Sequence, residues 1–245
     1  MIPKVIHYCW FGRNPLPPLA RKCIASWKKY LPDYEIKEWN EDNFDVNIIP
    51  YTKEAYEAKK YAFVSDYARF WILYHYGGVY FDTDVEIIKP LDDIIDRGAF
   101  MGLESMLNCN PGLGLGCAPN LDQYRKILDV YGMLHFRQTD GSLNLKTVVE
   151  YTSELLIKDG LTSRSGIQKI DNIYIYPSEY FCPINIITKK MHITQNTRTI
   201  HHYMGSWAHR GVRWHIKRVM RKMIPEFLLL RYNQLKQGNQ TQNGY

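Results

Sequence analysis

The chain has 245 residues, ample for one α/β domain with a sizeable core and short for two independent ones. Its formal net charge of +6 fits an anionic substrate or surface; with no recognised motif, it is too weak to argue a nucleic-acid partner. No run approaches the roughly 20 apolar residues of a membrane span, and 19 tyrosines supply flat apolar faces with polar handles, suited to sugars and bases.

Val5 to Trp10 reads as a buried first strand, closed by a loop at Gly12-Arg13-Asn14-Pro15. Pro17 and Pro18 suit the start of a helix, whose apolar stripe is Leu19, Cys23, Trp27 and Tyr30. Tyr34 to Trp39 alternates polar and apolar, as a second strand would. Residues 52–76 read as one or two helices. The last of these carries apolar residues at helical spacing (Phe63, Phe70, Leu73, and Val64, Trp71) and ends at Gly77, where glycine tolerates the left-handed conformation. Residues 79–85 then read as a strand. This βαβα order predicts a mostly parallel sheet covered by helices, with ligands bound beyond the carboxyl ends of the strands. Both Trp10-Phe11-Gly12 and Asp82-Thr83-Asp84 fall there.

On an extended chain alternate side chains share a face, so Asp82 and Asp84 point one way. Paired carboxylates suit a hard divalent ion, Mn²⁺ or Mg²⁺, held together with substrate phosphates. Asp66 and Arg69, at i and i+3, are neighbours on the preceding helix. Further along, Ala99 to Leu103 reads as a strand and 108–120 as a Gly/Pro-rich loop. Gly112-x-Gly114-x-Gly116 does not fit the dinucleotide fingerprint and follows a proline rather than a strand. Helices are expected at 121–135 and 145–158, and a strand at 173–176.

His201 and His202 are adjacent, so on extended backbone at most one reaches the carboxylates; His202 is favoured, since an Asp/His set suits Mn²⁺. Ser206 and Trp207 could close over a diphosphate, each as a hydrogen-bond donor. Glu104 and Asn110 follow a strand on the presumed acceptor side. From Arg210 to Lys222 there are six basic residues and no acid, with Val212, Ile216, Val219, Met220 and Met223 on one helical face. Such a helix could lie on an anionic membrane or pack on the core. The expected organisation is a domain over 1–210, a basic helical extension over 211–236 and a disordered tail over 237–245. Five cysteines without Cys-x-x-Cys spacing, and an N-terminus without a visible signal peptide, suggest reduced thiols in the cytoplasm; a membrane-bound basic helix would make the protein peripheral at the inner face of the cell membrane.

Ser65-Asp66-x-x-Arg69, then Leu73-Tyr74-x-Tyr76-Gly77-Gly78-Val79-Tyr80-x-Asp82-x-Asp84, resembles the sugar-binding region of the family-32 glycosyltransferases, the DXD group, and is similar to the glucosylating bacterial toxins. Ile2-Pro3-Lys4-Val5-Ile6-His7-Tyr8-x-Trp10-Phe11-Gly12 resembles the opening of the same family. The resemblance implies a GT-A-like, Rossmann-type domain that moves a hexose from a nucleotide sugar, with retention, in capsular or other surface polysaccharide synthesis. It implies that Asp84 ligates the metal, that Asp82 contacts metal or donor, that Asp66 and Arg69 bind the donor sugar, and that Trp10 or Phe11 stacks on the base. Tyr80 belongs to the same donor-binding set. A UDP-hexose is the favoured donor, GDP-mannose remains open, and the acceptor is a saccharide or lipid-linked saccharide. Two other readings compete: a metal-dependent phosphohydrolase or nucleotidyltransferase using the same carboxylates, and a non-enzymatic carbohydrate-binding module.

Overall fold

The computed structural model describes residues 1–184 and 190–204. In chain order the elements are β1 (Val5–Cys9), α1 (Pro18–Tyr30), β2 (Glu35–Trp39), α2 (Pro50–Glu57), α3 (Tyr61–Tyr76), β3 (Gly78–Tyr80), β4 (Val85–Ile87), α4 (Asp92–Ile95), β5 (Phe100–Ser105), β6 (Asn108–Cys109), β7 (Leu115–Cys117), α5 (Asp122–Gly132), α6 (Val148–Lys158), β8 (Gln168–Ile170), β9 (Ile173–Tyr176), α7 (Ser178–Phe181) and β10 (Thr199–His201). Seven strands form a central sheet in the order β2-β1-β3-β7-β5-β9-β8, with β6 added on β5. β2, β1, β3, β5 and β9 all run one way and β7, β8 and β6 the other, as the pairings β1·β2, β1·β3 and β5·β9 (parallel) and β3·β7, β5·β7, β8·β9 and β5·β6 (antiparallel) require. The mixed α/β sheet, mostly parallel and flanked by helices, is the architecture the βαβα pattern predicts.

Alternation along the strands builds two apolar layers. Ile6, Tyr8 and Val79 face α1 and α7, around Trp27 and Phe181. Cys9, Tyr80 and Met101 face α2, α3, α5 and α6, around Phe70, Tyr124 and Tyr131. Pro18 and Pro50 open α1 and α2 at the first helical position, where a missing N–H costs nothing. Gly77 closes α3 at φ +65°, its N–H bonding the Leu73 carbonyl.

Three readings of the sequence change. The run 79–85 is not one strand: the chain leaves the main sheet after Tyr80, turns with Val85 N–H on the Asp82 carbonyl, and resumes as β4 in a separate two-stranded sheet with β10. The stretch 108–120 is not all loop, because β6 and β7 lie in it. β7 escapes a hydrophobic-pattern reading because close packing selects glycine. A Cβ at Gly116 would come within 2.5 Å of the Phe100 ring, and one at Gly114 within 2.8 Å of the Phe81 ring. Finally β8, β10, α4 and α7 are too short to show a period. The basic helix over 211–236, the tail over 237–245, Ser206 and Trp207 lie outside the described residues. Among the described residues no helix is long and apolar enough to cross a membrane.

One buried polar group ties the sheet to the end of α3. His7 is 2% exposed; its Nε2 lies 3.0 Å from the Gly77 carbonyl, and Trp39 Nε1 donates to its Nδ1 at 3.0 Å. Accepting at Nδ1 leaves the proton on Nε2, so the ring is neutral. Burial lowers its pKa to about 4, against the bond to Gly77 and with Lys37 adding to the fall. A folded-state value below the unfolded 6.5 means that the unfolded chain binds more protons between the two. Stability is therefore expected to fall on the order of 3 kcal/mol as pH drops from 6.5 to 4. Urea unfolding across that window should show the slope, and His7→Gln should flatten it; equal slopes in both proteins would contradict this account of His7.

Candidate active site

Where the chain leaves the sheet, three ligand-bearing side chains meet. Asp82 N–H bonds the Gly112 carbonyl at 3.2 Å, which pins the turn against the β6–β7 connection. The antiparallel pairing of β10 with β4 sets His201 opposite Val85, and His201 Nε2 lies 3.0 Å from Asp84 Oδ1. Asp82, Asp84 and His201 each offer a ligand atom, all within 4.8 Å of one another. Asp84 is otherwise well held: its second oxygen accepts the Met204 N–H at 2.6 Å, and its carbonyl accepts the His202 N–H at 2.9 Å.

Only one of the adjacent histidines reaches the carboxylates, as extended backbone requires, but it is His201 and not the expected His202. His202 Nε2 lies 2.8 Å from Glu86 Oε2, and Glu86 is also paired with Lys22 at 2.9 Å. The register of β10, which sequence spacing does not reveal, makes the choice. Burial opposes charge on both members of the inner pair. The neighbouring Asp84 nevertheless raises the pKa of His201, and the neighbouring His201 lowers that of Asp84.

These residues fit a divalent cation. Two carboxylates and an imidazole form an acceptable Mn²⁺ set. His201 Nδ1 is buried with no hydrogen-bond partner among the described residues. A Cβ at Gly112 would collide with Asp82 Oδ2, so glycine there keeps that carboxylate in place.

α3 presents the next layer. Arg69, 3% exposed, bridges two carboxylates: its Nη2 lies 2.8 Å from Asp66 Oδ1 and 3.3 Å from Asp82 Oδ1. Its Nε donates to the Ser65 carbonyl at 3.1 Å, and its guanidinium sits 5.1 Å from the centre of the Tyr80 ring. The Tyr80 hydroxyl donates to Asp82 Oδ1 at 3.1 Å; with Tyr80 itself buried, it acts from beneath Asp82. Burial pushes the Asp66 carboxyl up to about 7, opposed by Arg69 and reinforced by Asp82. For Arg69 burial works against the cation, yet Asp82 first, then Tyr80 and Asp66, hold its pKa above the usual value.

At the β1 rim the two aromatic candidates separate. Phe11 is 5% exposed and packs edge-on to Phe44 at 5.7 Å. Trp10 is half-buried, and its indole N–H is tied to the Asn14 carbonyl at 2.6 Å. Gly12 takes φ +95°, and a Cβ there would collide with the Tyr61 ring. On the far side Asn110 Nδ2 donates to Glu104 at 2.5 Å, and Gly112 N–H donates to Asn110 Oδ1 at 2.8 Å. Gly112 is also the glycine against Asp82, so Glu104 and Asn110 are joined to the carboxylate cluster through the backbone.

Residues 17–101 match the glycosyltransferase sugar-binding region containing the DXD motif. An uncharacterized glycosyltransferase of Acanthamoeba polyphaga mimivirus is 27% identical over 216 residues, covering 85% of this chain and 84% of that protein. Inositol phosphoceramide mannosyltransferase 1 of Schizosaccharomyces pombe is 30% identical over 111 residues, 41% of this chain; the match spans 33% of that relative's length. Among solved structures the PaToxG glycosyltransferase is similar in fold, with a TM-score of 0.52 at 18% identity, over 65% of this chain and 69% of that one. The sequence likenesses support a glycosyltransferase with a DXD sugar-binding region, and the fold is of the GT-A kind.

Proposed function

We propose that this protein is a metal-dependent glycosyltransferase that moves a hexose from a nucleotide sugar to a saccharide or lipid-linked saccharide acceptor in surface polysaccharide synthesis. The observation that carries this reading is the meeting of Asp82, Asp84 and His201 within 4.8 Å, beside an Arg69 that already holds Asp82 and Asp66. A divalent ion bound there would act as a Lewis acid on the departing diphosphate. The protein's own share is orientation and charge. Asp66 and Arg69 receive the donor sugar, Arg69 fixes the direction of Asp82, and Trp10 offers its face to the base. Glu104 and Asn110 face the acceptor. Among the described residues no carboxylate stands out as a nucleophile, which supports retention by attack on the face the diphosphate leaves.

The hydrolase reading needs a free base to activate water. Glu86, the next acid along the chain from Asp84, is engaged by both Lys22 and His202. Relatives named as mannosyltransferases support a mannosyl donor alongside the UDP-hexoses. The test is donor hydrolysis across UDP-galactose, UDP-glucose, UDP-N-acetylglucosamine and GDP-mannose, with and without Mn²⁺. One donor should release its nucleoside diphosphate, and chelation should stop the release. Sugar binding without nucleotide affinity would favour a binding module, and release of a nucleoside monophosphate would favour a hydrolase; either overturns the proposal.

A further inference from the structure

A second acidic group sits at the same rim of the sheet, outside the carboxylate cluster. Glu41 follows β2 and is half-buried. Its Oε1 accepts the Gly12 N–H at 2.6 Å and the Tyr56 hydroxyl at 2.9 Å. Those two donors fill one carboxylate oxygen. Oε2 has no hydrogen-bond partner among the described residues. The surroundings are aromatic: Trp10 lies two residues before Gly12, the Tyr61 ring fills the space over Gly12, and Tyr56 and Tyr61 stand 5.3 Å apart. Arg13, the cation of the same loop, is paired with Asp42 at 2.6 Å. The rim thus carries a flat stacking face, and beside it an oriented oxygen that can only accept.

Acceptor-only chemistry discriminates among bases. Guanine presents two adjacent donors, N1–H and the N2 amine, and both can converge on Oε2, which has two lone pairs to accept them. Uracil presents one N–H between two carbonyl oxygens, and those oxygens would face the carboxylate's charge. Adenine and cytosine each set one amine beside a ring nitrogen that accepts. We propose that Glu41 reads the nucleobase and that the donor is a guanosine diphosphate sugar. This rests on the reading of Trp10 as the base-stacking residue of a nucleotide-sugar site.

The experiment is calorimetric titration of the full chain with GDP, IDP and UDP in the presence of Mn²⁺. GDP should bind about 10-fold or more tightly than UDP, because a site built to bond two donors rejects a base that lacks them. IDP keeps N1–H and lacks the N2 amine, so it should fall between. Glu41→Gln keeps an oxygen for Gly12 and Tyr56 but turns the free acceptor into a donor. It should weaken GDP by about 10-fold and leave UDP within about 2-fold, with Tm unchanged. Should that variant fail to fold, the order GDP, IDP, UDP in the unaltered protein decides. UDP binding as tightly as GDP, or a variant that leaves their ratio unchanged, overturns the role of Glu41 while the transferase reading stands. Failure of every nucleoside diphosphate to bind overturns both.

Discussion

Asp84→Asn should cut Mn²⁺-supported transfer by about 100-fold or more, since removing one anionic ligand forfeits several kcal/mol of charge stabilisation on the leaving diphosphate. Donor hydrolysis at saturating Mn²⁺ measures it, and activity within a few-fold of the unaltered protein would remove Asp84 from the site. The structure adds a cost to the fold. From the sequence, relief of repulsion between Asp82 and Asp84 would leave stability the same or higher. Instead Asp84 is satisfied by His201 at 3.0 Å and by the Met204 amide at 2.6 Å, so the substitution leaves a buried imidazole without its counter-charge. A depressed Asp84 pKa contributes stability above the unfolded value of 3.8, lost as pH falls through the folded one. A raised His201 pKa contributes stability below 6.5, lost as pH rises through its folded value. In EDTA the variant should therefore lose about 1–3 kcal/mol near pH 6, and less in alkaline buffer. A loss that does not vary with pH would show that the pair is not ionised.

Arg69→Met should be the most damaging single change to stability. It removes the cation that bridges Asp66 and Asp82, and unpairing a buried charge costs about 3–5 kcal/mol. For a chain of this size each kcal/mol shifts Tm by roughly 2–4 °C, so the expected drop is roughly 6–20 °C. The loss should shrink in acid. Asp66 already has a folded-state pKa of about 7, above its ordinary 3.8. It therefore contributes stability below 3.8 that is lost as pH rises through 7. Losing Arg69 pushes the folded value further up, which widens that window. Thermal melts at pH 5 and pH 8 check the sign: a variant equally destabilised at both would mean that Asp66 and Arg69 do not interact as an ion pair.

The parts of this site that a sequence can show are those built on long periodic elements. The α3 stripe, its stop at Gly77 and the i,i+3 placement of Asp66 and Arg69 all follow from helical spacing. A continuous strand over 79–85 would set Asp82 and Asp84 on one face; they converge instead through a turn held by Gly112. What stayed hidden depends on pairing between distant segments. His201 and His202 differ only in which faces β4, and a three-residue strand has no pattern from which to read its register. Gly112 looked like part of a loose Gly-rich loop, whereas the close approach of Asp82 demands it. Glu41 sits in the polar run Asn40-Glu41-Asp42-Asn43, where nothing local marks one acidic residue apart from the next. Only the contacts with Gly12 and Tyr56 do so. Alternation predicts burial for one of Trp10 and Phe11 without saying which; it is Phe11 that is buried.

Asp82, Asp84 and His201 are expected together to hold a divalent ion that grips a diphosphate. Titration of Mn²⁺ into the full chain in the presence of GDP or UDP, followed by electron paramagnetic resonance of the free ion, tests it most directly. The expected result is one bound ion per chain, binding weakened about 10-fold or more by His201→Gln and by Asp84→Asn, and diphosphate binding that disappears with EDTA. Diphosphate binding indifferent to EDTA, or Mn²⁺ binding indifferent to His201→Gln and Asp84→Asn, would contradict it.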